Sequence, residues 1–373
     1  MTVETGVLER YSQGAESKQA DLCCPVDYDK SLLALLPPEI VEKDYGCGDP
    51  SRYVKPGDTV LDLGSGSGKI CYMAAQLAGE NGKVIGVDMN DDMLALARKY
   101  QQEMAQKLGS NRVEFLKGQI QDLALDVTVM DNYLAQHPVQ KSGDVMRLRA
   151  WQDQQRKESP LIKDNSVDLV VSNCVLNLVR DSDKEQMISE IFRVVKSGGR
   201  VAISDIVSDE PVPSHLKQDQ HLWSGCISGA MQEYAFLQAF INAGFIAVSY
   251  DKWESQPWQV VEGIEFRAVT ITAVKPHREP CIDKDYAVIY RGPFSKVYDD
   301  DGHVYYRGQR MAVCERTCRT LTGDEYGSHF ISIAPAVDQP GKPWDCATGT
   351  VRKVADTKGG RHANHCETGE GCC

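Results

Sequence analysis

Three cysteines stand where a sulfur could reach a ligand. Cys47 lies in Tyr45-Gly46-Cys47-Gly48, and a glycine on each side permits close approach. Cys174 follows an apolar run in Ser172-Asn173-Cys174. Cys226 lies in WSGCISGA, residues 223–230, a small-residue segment able to close over a cleft. Cys23 and Cys24 form an adjacent pair nearer the start. A cysteine on a core strand ordinarily packs as a small hydrophobe. None of these pairs has the short spacing of a zinc finger. A site built from Cys47, Cys174 and Cys226 would therefore be assembled by the fold. Three thiolates with no histidine nearby suit a soft, thiophilic centre.

A second constellation surrounds a glycine loop, Asp62-Leu63-Gly64-Ser65-Gly66-Ser67-Gly68. Alternating glycines let the backbone approach a ligand at the end of a strand. Asp88 follows about 20 residues later, where a carboxylate can accept both hydroxyls of a ribose. A tight turn followed by a capping acid would give part of the same pattern. The acid just before the loop would repel a pyrophosphate. It suits a cation, such as the amino end or sulfonium of S-adenosylmethionine.

These residues need strands and helices to hold them. Apolar runs predict strands at 59–63, 83–87, 113–116, 167–172 and 200–206, and helical spacing predicts helices at 69–77, 91–108 and 183–195. Residues 196–199, Lys-Ser-Gly-Gly, read as a stop for the last of these. Short helices are expected within 28–36 and after Pro37-Pro38, and a charged one at 145–157. Strands alternating with helices imply a mostly parallel, doubly wound sheet. Two later runs, 245–251 and 266–274, read as strands, the second as an antiparallel edge strand.

The chain has 373 residues, about two domains' worth. Its 13 cysteines fall well below the ~8–10% of a disulfide scaffold. A net charge of −12 argues against a nucleic-acid partner. No stretch approaches the ~18 apolar residues of a membrane span. The opening MTVETGVLER lacks the basic and apolar regions of a signal peptide. The expected location is cytoplasmic, where thiols stay reduced.

The glycine loop resembles the first motif of class I S-adenosylmethionine methyltransferases. Together, YGCG, LDLGSGSG, VDLVVSNCVLNLV and WSGCISGA resemble the arsenite S-adenosylmethionine methyltransferases, over roughly residues 21–335. SNCVLNLV is the most specific part. The resemblance implies an α/β Rossmann-like fold: a doubly wound, mostly parallel sheet with an antiparallel edge strand, an inserted As(III)-binding segment and a small C-terminal domain. The implied divisions are a helical cap at 1–45, a methyltransferase domain at 46–210, the As(III) segment with closing strands at 211–275, a C-terminal domain at 276–345 and a cysteine-containing tail at 346–373.

The family uses four cysteines. By motif, Cys174 and Cys226 would bind As(III), Cys47 would be the third, and Cys24 or Cys23 the fourth. Implied cofactor contacts are Tyr45 and Gly46 at the methionine end, Asp62, Gly64, Ser65 and Gly66 at the loop, and Asp88 and Met89 at the ribose and adenine. Ile120 and Gln121 would flank the adenine, with Gln121 standing where the family usually has Glu. Asn173 would support the methionine moiety.

The implied reaction moves a methyl group to thiol-bound arsenite or methylarsenite. Disulfide formation would then re-reduce arsenic, reset by a thiol reductant such as glutathione or thioredoxin. An arsenic lone pair needs no general base, and no His/Asp pair stands near the motifs. Two alternatives remain at this point. A carbon or oxygen methyltransferase of a small organic molecule predicts a general base. A soft-metal thiol-binding protein leaves the loop and Asp88 unexplained.

Other features are ordinary in expectation. The long polar stretch 124–164 reads as a solvated excursion, with a substrate lid as the alternative. Cys314 and Cys318 are spaced to share a helical face, Cys71 should pack, and Cys281 and Cys346 have no readable partner. The tail cysteines Cys366, Cys372 and Cys373 could capture soft metalloids or stay passive. His137, His215 and His221 read as surface or capping residues.

Overall fold

The computed structural model describes residues 3–17, 26–335, 340–344 and 349–357. Cys23, Cys24, Cys346, Cys366, Cys372 and Cys373 lie outside the described residues. The chain divides into two compact units, Met1–Pro276 and His277–Cys373.

The first unit opens with helices α1 (Val3–Glu16), α2 (Lys30–Leu33) and α3 (Pro38–Glu42). Alternation then begins: β1 (Thr59–Leu63), α4 (Lys69–Ala78), β2 (Lys83–Asp88), α5 (Asp91–Lys99), α6 (Gln101–Leu108) and β3 (Val113–Lys117). After α7 (Val127–Gln136) and α8 (Ser142–Glu158) come β4 (Val167–Asn173), α9 (Asp181–Val194) and β5 (Val195–Ser208). The remainder holds α10 (Ser214–Lys217), α11 (Gln220–Ser224), β6 (Met231–Gln232), α12 (Glu233–Asn242), β7 (Ile246–Trp253), β8 (Gln259–Val261) and β9 (Ile264–Val274).

The strands form one sheet of order β3-β2-β1-β4-β5-β9-β7, with β6 beside β5 and β8 beside β9. Pairing is parallel from β3 to β5 and antiparallel at β9 and β7. The direction of winding switches between β1 and β4. In such sheets a crevice opens outside the carboxyl ends of the strands at that point. Each face is covered. Leu61 and Leu63 of β1 join one buried core with Met187, Ile188, Phe236 and Phe240. Val60 joins the other with Ile70, Tyr72 and Leu94.

Three boundaries differ from expectation. The helix expected over 91–108 is two helices, broken at Tyr100, whose backbone leaves the helical region (φ −101°, ψ 1°) while its hydroxyl bonds Glu39. Lys196–Gly199 does not end a helix in a loop, because β5 already starts at Val195. The residues bulge out between the pairs Val167–Val195 and Leu169–Arg200. Gly198, at φ +76°, takes the left-handed turn this needs. Finally, 264–274 is an inner strand and β7 is the edge. Most β9 residues are buried, whereas β7 alternates half-buried and exposed.

The stretch 124–164 forms α7 and α8, joined by stacking of Tyr133 on Trp151 at 4.3 Å between ring centroids. His137 stacks on Tyr133, and His215 pairs with Glu262.

The second unit contains β10 (Ile282–Asp283), β11 (Ala287–Tyr290), β12 (Lys296–Tyr298), β13 (Val304–Tyr306), β14 (Arg310–Ala312), α13 (Glu315–Leu321), β15 (Phe330–Ile333) and β16 (Lys342–Pro343). β11 is the middle strand between β14 and β15, over a core of Val288, Tyr290, Tyr305, Met311 and Leu321. Among the described residues no helix is long and apolar enough to cross a membrane.

Candidate active site

A cavity of about 380 Å³ lies over the carboxyl ends of β1, β2 and β4. Asp62, Gly64, Ser65 and Gly66 line it from the β1–α4 loop, Asp88 and Met89 from the end of β2, and Ile120 and Gln121 from beyond β3. Asn173 and Cys174 close the β4 side. Tyr45 contributes from one wall, and Val7, Leu8 and Tyr11 of α1 from another. Among the described residues no histidine lines it.

The loop is locked to β2 through Asp88. One carboxylate oxygen accepts the Gly66 N–H at 2.8 Å and the other the Asn90 N–H at 2.8 Å. Burial raises the Asp88 pKa, and these N–H groups oppose the rise. Burial also pushes Asp62 up to about 7, against a hydrogen bond from the Cys71 thiol, while Asp44 and Asp88 add to the rise. Asp44 lines the cavity too and pairs with Lys69 at 2.5 Å.

A wall bearing three carboxylates beside Met89, Met93 and Ile120 is hostile to a pyrophosphate. It fits a cation that also carries a flat apolar group. S-adenosylmethionine has that chemistry.

Asn173 ties β4 to the YGCG segment. Its side-chain oxygen accepts the N–H groups of Cys47 and Gly48 at 2.9 and 3.0 Å. Its amide donates to the Gly48 carbonyl at 2.9 Å and to the Tyr28 hydroxyl at 3.1 Å. Gly46 is not on the cavity wall, and its place explains its type. A Cβ there would stand 2.2 Å from the Asn173 amide nitrogen. The YGCG segment is therefore clamped onto the end of β4.

That clamp brings sulfurs together. Ligand atoms of Cys47, Cys174 and Asp205, all buried, lie within 4.8 Å of one another. The Cys226 thiol donates to the Cys174 carbonyl at 3.1 Å. Cys226 also shares a hydrogen bond with the Tyr11 hydroxyl. Burial raises the Tyr11 pKa well above its ordinary value, with Cys226 and Cys174 adding to it. Cys174 and Cys226 adopt positive φ, +63° and +62°. The left-handed region costs a side chain energy, and such strain gathers at working sites. The redox partner expected at Cys23 or Cys24 lies outside the described residues.

Comparison with known proteins gives the family. A family model described as a methyltransferase domain matches residues 54–148 and 146–254. A domain of unknown function (DUF8838) matches residues 277–362. An arsenite methyltransferase of Aquipseudomonas alcaligenes is 31% identical over 336 residues, 85% of this chain and 86% of its own. The chain belongs to the arsenite methyltransferase family. The human arsenite methyltransferase is 29% identical, over 79% of this chain and 72% of its own. A solved arsenic(III) S-adenosylmethionine methyltransferase from Chlamydomonas reinhardtii is 28% identical, with a TM-score of 0.54, covering 86% of this chain and all of that one. The chain thus has the class I methyltransferase fold, with a mostly parallel central sheet.

Two residues beside these cysteines escape a reading of motifs. Asp205 is fully buried, and burial pushes it up to about 7 against N–H bonds from Ile206, Asn177 and Leu176. Its signal was available: an acid inside the apolar run Val201–Ser208 has to be paired or used. Tyr11 gave no signal, since nothing in a sequence links it to a cysteine on α11's far side.

Proposed function

We propose that this chain transfers a methyl group from S-adenosylmethionine to trivalent arsenic held by cysteine sulfur. The observation that carries the reading is the gathering of Cys47 and Cys174 beside the acidic cavity, with Cys226 on the Cys174 carbonyl. Asp62, Asp88, Gly64, Ser65, Gly66, Met89, Ile120, Gln121 and Tyr45 would hold the cofactor. When bound, S-adenosylmethionine supplies an electrophilic methyl on a sulfonium sulfur.

The protein's own task is to present the acceptor. Soft thiolates take As(III) in preference to hard cations. Cys174 and Cys226 bind it, and Cys47 completes a three-sulfur set. Arsenic held so keeps a lone pair, so no side chain must remove a proton. Holding the reacting atoms in line is the main source of rate.

Methylation raises arsenic to the pentavalent state. The Cys24 (or Cys23) thiol then attacks the arsenic-bound Cys47 sulfur: an S–S bond forms, the As–S bond breaks and returns its electron pair to arsenic, and one proton leaves. A cellular reductant, glutathione or thioredoxin, resets the disulfide. Arsenite and methylarsenite arrive as thiol conjugates. The cytoplasm, where thiols stay reduced, suits this chemistry.

The test is to incubate the full chain with S-adenosylmethionine, arsenite and a thiol, then speciate the arsenic. Methylated arsenic is expected, and Cys174→Ser or Cys226→Ser should abolish it. Arsenite that stays bound but unmethylated, or full activity in either variant, overturns the proposal.

A further inference from the structure

A second pair of sulfurs stands in the second unit, among residues given no role above. Cys281 precedes β10 and Cys314 caps the start of α13. Their sulfurs are 3.8 Å apart. That exceeds the ~2.05 Å of a disulfide and leaves room for one atom to bridge both. The Arg316 guanidinium donates to the Cys281 sulfur at 3.2 Å. Arg316 is itself held by the carbonyls of Glu279 at 3.0 Å and His277 at 3.4 Å. The Cys314 sulfur lies 3.2 Å from the Thr317 hydroxyl and accepts its N–H at 3.4 Å.

Cys318 is not part of this group. Its sulfur turns to the Ser332 hydroxyl at 3.2 Å, and burial raises its pKa. Helical spacing with Cys314 is thus superseded by a contact between residues far apart in sequence.

The geometry points to Cys281 and Cys314 as a dithiol site for a trivalent arsenical with two exchangeable hydroxyls, of which methylarsenite is the member this protein would meet. The class of ligand rests on the arsenic reading of the first unit. Two sulfurs match two leaving groups. Each Cys S–H loses its proton to a departing hydroxyl, two As–O bonds break, two As–S bonds form, and two waters leave. Arsenic stays trivalent, so no oxidant or reductant is required. Arsenite has a third hydroxyl, which these two sulfurs do not displace. Cys314 is buried and Cys281 half-buried, so the ligand enters from the Cys281 side.

The experiment uses the reduced full chain with methylarsenite as the probe. Unbound reagent is removed and bound arsenic counted by intact mass. Cys281→Ser and Cys314→Ser should each carry one equivalent less than the unsubstituted chain. The Cys174→Ser/Cys226→Ser double variant should retain the equivalent that Cys281→Ser removes. A second measurement needs no variant: methylarsenite should slow alkylation of Cys281 and Cys314 together at least tenfold, read by peptide mapping. Unchanged stoichiometry in folded variants, or unprotected alkylation at either cysteine, overturns the site. Failure of methylation with protection intact would sink the reading of the first unit and leave this one standing.

Discussion

Cys226 sits in a backbone conformation that a side chain resists, at φ +62°. The left-handed region costs an L-residue about 1–2 kcal/mol, and glycine escapes that cost. Elsewhere a glycine is the less stable choice than alanine by about 0.5–1 kcal/mol. Here the order should invert. Cys226→Gly should be about 1 kcal/mol more stable than Cys226→Ala in urea unfolding, with both inactive on arsenite. The ordinary order would show that the strain is not real. Asp62 gives a second prediction at this scale. Burial holds it near 7, well above an ordinary aspartate, so the folded protein loses stability as pH rises through about 7. A cation beside Asp62 reverses that cost by favouring the carboxylate. Affinity for S-adenosylmethionine should therefore rise with pH, by up to about tenfold per unit between pH 6 and 7, and level off above. Asp44 and Asp88 face the same cavity and push in the same direction. Calorimetric titration of the unsubstituted chain and of Asp62→Asn checks it; an equally steep rise in the variant would refute the assignment.

Elements matter because β4 ends in a clamp. Asn173 gathers four hydrogen bonds, three of them to residues 47 and 48. Asn173→Ala frees the segment that carries Cys47 and leaves the loop–Asp88 lock untouched. A misplacement of ~1 Å at a reacting group can cost about a hundredfold. Arsenite methylation should fall by about that factor, while the Kd for S-adenosylmethionine changes by less than about fivefold. Equal losses in both would mean that Asn173 serves mainly the cofactor. The strands carrying this clamp were legible, because β1, β2 and β4 are apolar runs buried on both faces. The helix α7 was missed: β-branched and aromatic residues in VTVMDNYLAQ mask its helical spacing, and its start depends on Asp126 capping the Val129 N–H. Cys174 and Cys226 stood out in their motifs. Their strained backbone did not, since φ at a cysteine depends on the contacts around it. Cys281 and Cys314 were unreadable as a pair, because 33 residues separate them and only the fold closes that distance.

At the scale of the molecule, every described residue lining the cavity falls between Val7 and Arg180, inside the first compact unit. That unit is closed by its last strand. The buried Lys275 ammonium, just beyond β9, donates to the Asn165 side chain at 2.8 Å and to the carbonyls of Phe192 and Val195 at 2.6 and 2.8 Å. Its backbone pairs with the bulge at Gly198 and Gly199. A fragment ending at Pro276 keeps both the cavity and this closure. It should fold and bind S-adenosylmethionine with a Kd within about threefold of the full chain. Hydrogen bonds to a charged group are each worth about 1.5–3 kcal/mol, so Lys275→Met in that fragment should cost about 3 kcal/mol or more. Melting should then drop by about 6–10 °C, with cofactor affinity preserved below the new transition. A fragment that fails to bind, while its far-ultraviolet dichroism shows a folded sheet, would mean that residues beyond 276 take part in the site. Binding retained by the fragment would instead leave the second unit free for a task of its own, which is where the Cys281 and Cys314 sulfurs stand.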